Sequence, residues 1–136
     1  MAGFKLKVTP EMESLTQVCV ENSKMDPSLY GKYDVKRGLR DVNGKGVLAG
    51  LTQISSIYST DVVDGKTVPC EGRLYYRGYD IHELTQGFLR EQRFGFEEVT
   101  YLLLFGKLPN EKELADFKVL LAGQRSLPKN FVRDVI

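Results

Sequence analysis

Apolar positions along this chain fall first at helical spacing, then in an alternating stretch, then at helical spacing again. Met12, Leu15, Val18 and Cys19 share one face of a helix predicted over residues 10 to about 21. Thr9 is suited to cap its start, and Pro10 occupies the first helical position, where a missing N–H costs no hydrogen bond. Asp26-Pro27 repeats the start signal for a short helix that stops near Gly31. Residues 37–50 are glycine-rich and read as loop. Residues 51–58, with Leu51, Ile54 and Ile57, carry a mixed pattern read as a strand. Val62-Val63-Asp64-Gly65-Lys66-Thr67-Val68 predicts a hairpin, because Asp-Gly accepts the positive φ angles of a type I′ turn and β-branched residues flank it. Residues 72–78 alternate, with Leu74 and Tyr76 on one side and Arg73, Tyr75 and Arg77 on the other.

Helical signals then return. Asp80-Ile81-His82-Glu83 resembles a capping box and opens a helix to about Gln86. A second helix covers residues 96–105, with Gly106 as its stop. Asn110-Glu111-Lys112-Glu113 opens a third, with Leu114, Phe117 and Leu121 on one face, and Pro128 starts a fourth containing Phe131, Val132, Val135 and Ile136. The expectation is a mainly helical fold with a small antiparallel β element drawn from residues 51–58, 62–68 and 72–77.

Two of these helices carry a further expectation. The second half of the 96–105 helix is nearly apolar, which predicts burial on several sides. The last helix has no Gly or Asn stop and no basic final turn, and it ends on Val135-Ile136. Together these suggest a fragment of something larger, although a frayed natural terminus would read the same way. Apolar faces on both helices predict that the chain associates with itself, by a symmetric contact or an exchange of elements. The alternative is that one helix relaxes to cover another.

Composition narrows the function classes. The chain has 136 residues, 42% apolar, and a formal net charge of +1 from 19 basic and 18 acidic residues. That length suits one domain. No basic stripe favours nucleic acid, and the longest apolar run, Tyr101 to Phe105, is too short to span a bilayer. No secretory leader pattern follows Met1. Cys19 and Cys70 match neither a metal-ligand spacing nor a disulfide framework, so the expected location is the reducing cytoplasm.

Candidate chemistry is sparse. Gly44-Lys45-Gly46 and Gly50 have neither the G-x-G-x-x-G spacing nor the Gly-Lys-Ser/Thr of a phosphate loop, so glycine serves turns there. Asp41-x-Asn43-x-Lys45-Gly46 mimics the opening of a calcium loop, but Lys45 takes a ligand position and Thr52 stands where the bidentate Glu belongs. His82 is the single histidine and falls in a first helical turn, where an exposed helix residue is the better reading than a general base. Cys19 lies on an apolar helix face and reads as core. Lys36, Arg37 and Arg40 cluster beside the glycine-rich segment; such a cluster can bind phosphates or simply be a solvated loop. Arg73 and Arg77 on one strand face read as structural partners for carboxylates.

Three ordered segments resemble the citrate synthase family. Glu71-Gly72-Arg73-Leu74-Tyr75-Tyr76-Arg77-Gly78-Tyr79-Asp80-Ile81 looks like that family's N-terminal strand and following helix start. Phe94-Gly95-Phe96-Glu97-Glu98-Val99-Thr100-Tyr101-Leu102-Leu103-Leu104-Phe105-Gly106-Lys107-Leu108-Pro109 is similar to its F-E-E-V-x-Y-L-L-L-x-G-x-L-P segment. Gly38-Leu39-Arg40, leading to Gly46-Val47-Leu48-Ala49-Gly50-Leu51-Thr52-Gln53-Ile54-Ser55, resembles its glycine-rich entry to the first strand. The resemblance covers residues from about 30 to 136.

The resemblance implies the N-terminal part of the large, mainly α-helical domain of a homodimeric enzyme. That enzyme joins acetyl-CoA and oxaloacetate to give citrate and CoA without a metal or other cofactor. In it an Asp deprotonates the acetyl methyl, one His stabilises the enol and another polarises the keto group, since the developing enolate charge needs stabilisation. A related 2-methylcitrate synthase, or a truncated binding module without activity, are the alternatives. The family needs two catalytic histidines and this chain has one, at a position that matches no catalytic residue. No catalytic residue is therefore carried over, and the chain alone is expected to be inactive. Arg40 resembles a family arginine near the CoA phosphates and is the single substrate-binding candidate.

Overall fold

Thr9 holds an extended backbone (φ −103°, ψ 159°) and its hydroxyl accepts the amide of Met12, which starts α1, Pro10–Asn22, at the position the capping residue dictates. The computed structural model describes residues 7–44, 46–127 and 130–135. Next comes α2, Ser28–Lys32, where the Asp26 carboxylate accepts the amide of Ser28. After the loop that follows, two long antiparallel strands form a ribbon, β1 (Ser55–Val63) and β2 (Lys66–Tyr76), with Val63 opposite Lys66. Asp64 at φ 49° and Gly65 at φ 74° are the two left-handed residues of the tight turn predicted there.

The strand boundaries depart from the sequence reading. β1 begins at Ser55 rather than residue 51, and runs to Val63. Pairing is set by the Asp64-Gly65 turn and spreads from it, whereas the Ile54 amide bonds to the Thr52 hydroxyl and leaves the ladder. The two later strand segments are one strand, β2, interrupted where Cys70, Glu71 and Gly72 oppose Ser59 alone. Arg77 does not share a strand face with Arg73. It sits at φ 49° beside Gly78 at φ 88°, in a second tight turn that pairs Tyr76 with Tyr79 of a short β3, Tyr79–Asp80. Arg and Gly in sequence carry a weaker turn signal than Asp and Gly, so this turn was not foreseen.

Asp80 then caps α3, accepting the amide of His82 at 2.8 Å. α3 is Ile81–Arg90, a turn longer than predicted, since Gly87 lies inside it and does not stop it. Next is α4, Phe96–Phe105, which ends at Gly106 with φ 77°. α5, Glu111–Gly123, opens with a complete capping box: the Asn110 side chain accepts the Glu113 amide, and Glu113 accepts the Asn110 amide. α6 is Phe131–Val135; Pro128 and Ile136, assigned to this helix from sequence, lie outside the described residues. The fold is mainly helical with a three-stranded antiparallel sheet in the order β1-β2-β3.

The core is aromatic. Tyr101, Phe105 and Phe117 meet with ring centroids 4.5, 5.3 and 5.7 Å apart, two of the three pairs edge to face. Leu15, Val18 and Cys19 of α1 and Leu120 and Leu121 of α5 close around them. Leu102 is fully buried, at 0% exposure. Tyr101 and Phe105 of α4 are thus covered within the chain by α1 and α5, while Leu104 of the same helix is exposed.

Candidate functional site

The glycine-rich segment folds back on itself. The Lys36 amide donates to the Leu48 carbonyl at 2.8 Å, the Val47 amide to Leu39 at 3.3 Å, and Arg40 forms an isolated bridge with Gly46. Gly44, at φ 79°, turns the tip, and its amide bonds to the Asp41 carbonyl. Arg40 Nη1 donates to the Gly44 carbonyl at 2.8 Å, so the guanidinium is held across the loop that it belongs to. Arg40 is exposed, and a guanidinium has five N–H donors, so several remain directed to solvent. Lys36 is paired with Asp34 at 2.6 Å, and Arg37 is exposed on the same loop. The structure therefore brings Lys36, Arg37 and Arg40 onto one exposed loop, in a form that can meet an anion.

The remaining candidates take structural places. His82 is exposed in the first turn of α3. Cys19 packs against the aromatic core, and Cys70 accepts from Arg73 at 3.6 Å. Arg73 also pairs with Asp61 and lies over the Tyr58 ring, so its partner is the carboxylate expected for it. Among the described residues, no group of three His, Cys, Asp or Glu is placed to hold a metal ion.

Arg77 has a role that sequence reading missed. Its guanidinium donates to the Leu103 carbonyl from Nε (3.2 Å) and Nη2 (3.0 Å), and to the Asn22 carbonyl from Nη1 (3.3 Å). Asn22 in turn donates its side-chain amide to the Phe105 carbonyl at 2.7 Å. Carbonyls at the last turn of a helix have no intrahelical partner and favour a cation, so Arg77 and Asn22 together close the ends of α1 and α4. Arg77 makes these contacts from a left-handed backbone, φ 49°.

A surface groove of about 830 Å3 runs between α1 and α5, with Leu15, Val18, Tyr101 and Phe117 on its floor. Lys107 and Glu113 pair at 2.6 Å on its rim. The Lys107 ammonium, then the Asn110 amide, hold the Glu113 carboxyl below its ordinary value, and Glu113 raises Lys107 in return. Burial, then the nearby Glu113 charge, push the Tyr101 phenol up.

Comparison with known proteins places these elements in a family. The model of the citrate synthase family described as "Citrate synthase, C-terminal domain" matches residues 38–136, and the chain belongs to that family. The chain is 32% identical over 125 residues to a 2-methylcitrate synthase of Mycobacterium tuberculosis, covering 92% of this chain and 26% of that protein. Over 56 residues it is 45% identical to the 2-methylcitrate synthase of Shewanella oneidensis, 41% of this chain and 13% of the relative. Over 88 residues it is 34% identical to citrate synthase 2 of Bacillus subtilis, 65% of this chain and 19% of the relative. The chain thus spans about a quarter or less of the curated relatives that it matches.

Proposed function

We propose that this chain is the N-terminal segment of the large domain of an enzyme that condenses acetyl-CoA with oxaloacetate to give citrate and CoA. The observation that carries the reading is the family match across residues 38–136, which contains the Arg40 loop, the hairpin and the aromatic core. In this reading the chain supplies scaffold and one anion contact, while the catalytic histidines and aspartate belong to parts of the enzyme beyond it. No metal or other cofactor takes part, and acetyl-CoA is a substrate. Relatives named as 2-methylcitrate synthases give a second reading, in which the acyl donor differs and the fold is the same.

Arg40 is the substrate contact in this proposal. Its loop presents it to solvent, pinned by the Gly44 carbonyl, and a guanidinium suits a phosphate oxygen pair. In a full-length enzyme carrying this segment, Arg40→Ala should weaken acetyl-CoA binding by about 1–3 kcal/mol, the scale for losing a hydrogen bond to a charged group, and leave oxaloacetate binding unchanged. Steady-state kinetics with each substrate varied in turn reads both. Equal Michaelis constants for variant and parent would remove Arg40 from the site.

The proposal includes a cytoplasmic protein that binds neither nucleic acid nor membrane and that associates with a second copy of itself. No helix among the described residues is long and apolar enough to cross a membrane, and the near-neutral charge offers no polyanion surface. Exposed apolar residues outside the core, among them Phe96, Leu104, Val132 and Val135, support association.

A further inference from the structure

Asn43 is one of four asparagines in the chain and the one that glycine follows. It takes the third position of the tight turn Asp41–Gly44, which the Gly44 amide closes on the Asp41 carbonyl at 2.9 Å. Both Asn43 and Gly44 are exposed. Gly44 holds φ 79°, and apart from its chain neighbours no heavy atom comes within 4 Å of where a Cβ on it would stand. The Gly44 nitrogen can therefore approach the side-chain carbonyl carbon of Asn43 without the crowding that a Cβ on the attacking residue brings.

The other asparagines lack this combination. Asn22 lies in α1 and its side-chain amide donates to the Phe105 carbonyl at 2.7 Å. Asn110 is held by the capping box of α5. Asn130 precedes Phe131, whose side chain crowds the approach. Asp64-Gly65 could cyclise in the same way, but strand pairing of Val63 with Lys66 clamps that turn, and hydroxide is a poorer leaving group than ammonia. The closing bond of the Asn43 turn is a single exposed hydrogen bond, and such bonds open locally at little cost.

We propose that Asn43 is a modification site: it deamidates through a cyclic imide with Gly44, and the carboxylate so formed weakens the anion contact of Arg40. The Gly44 nitrogen bonds to Asn43 Cγ, the Cγ–Nδ2 bond breaks, and the Gly44 amide proton leaves with the side-chain nitrogen as ammonia. Water then opens the imide at either carbonyl, giving aspartate or isoaspartate with no oxidation or reduction. Either product places a negative charge beside Gly44, whose carbonyl accepts Arg40 Nη1 at 2.8 Å. That charge competes with an external anion for the remaining donors of the guanidinium. In isoaspartate the main chain also runs through the former side chain, which shifts the carbonyl that pins Arg40. This second half rests on the Arg40 contact proposed above; the chemistry at Asn43 does not.

Peptide mapping by mass spectrometry of the 136-residue chain, held at neutral pH and physiological temperature, tests the modification. The peptide containing Asn43 should gain roughly one mass unit and resolve into two products, one of them a substrate for an isoaspartyl methyltransferase. Its rate should be no less than about one-tenth of that in urea-unfolded chain, because the turn opens readily. Asn22 and Asn110 should stay unchanged, and Asn43→Gln should abolish the products. Absence of product at Asn43 in the folded chain, while the unfolded chain forms it, overturns the site. In a full-length enzyme carrying this segment, Asn43→Asp should raise the Michaelis constant for acetyl-CoA about threefold over Asn43→Gln, the scale of one exposed charge contact, with kcat and oxaloacetate unaffected. The difference should vanish in an Arg40→Ala background. Equal constants for the two Asn43 variants, with Arg40→Ala still impaired, overturn the link to Arg40 and leave its own contact standing. An unimpaired Arg40→Ala removes the Arg40 contact and the link together, and the mass measurement then decides the modification by itself.

Discussion

Arg77 shows how one residue's backbone decides its chemistry. At φ 49° it leaves β2 and carries its guanidinium to the Leu103 and Asn22 carbonyls, so a side chain from the sheet satisfies the ends of two helices. Arg77→Ala should lower stability by about 1–3 kcal/mol, and Arg77→Lys should recover only part, because a single ammonium cannot span both carbonyls as the planar fork does. Urea denaturation of the three proteins measures it; a lysine variant as stable as the parent would show that charge alone matters. Glu113 adds a pH dependence. Its folded-state value is depressed by Lys107 and the Asn110 amide, so its contribution is present above the ordinary carboxylate value and is lost as pH falls through the depressed one. Glu113→Gln should flatten the acid side of the stability profile, read as melting temperature between about pH 6 and 3. A parent and variant whose melting temperatures fall in parallel would contradict that role.

At the scale of elements, legibility followed the strength of local signals. Thr9, Asp80, Asn110 and Gly106 each satisfy or end a helix through their own chemistry, and those boundaries could be read directly. Asp64-Gly65 fixed the hairpin for the same reason. Where the outcome depended on pairing or contact at a distance, the reading drifted. The start of β1 is set by register counted from the turn, and β3 depends on left-handed Arg77. The role of Arg77 was hidden because its partners lie 26 and 55 residues away in sequence. Gly65→Ala tests the turn as the organiser of the ribbon. Alanine at φ 74° is strained, and the expected loss is about 1 kcal/mol or more, seen as earlier thermal unfolding and faster amide exchange along residues 55–76. Unchanged exchange there would mean that pairing along the strands sets the register without the turn.

For the molecule as a whole, the sequence showed family and architecture better than it showed a site. Three motifs spread from Gly38 to Pro109 identify the family, and the helices and ribbon fall where those motifs stand. The candidate site reduces to Arg40, since a binding loop depends on groups that converge from separate parts of an enzyme. Only one such part is described by this chain, about a quarter of its Mycobacterium relative. The single histidine, His82, is exposed in the first turn of α3. In the function proposed above, this chain is scaffold with a substrate contact and the condensation chemistry lies elsewhere. The most direct measurement is thiol release by the purified 136-residue chain supplied with acetyl-CoA and oxaloacetate. The account predicts a rate no higher than background; clear turnover that survives His82→Ala would contradict it.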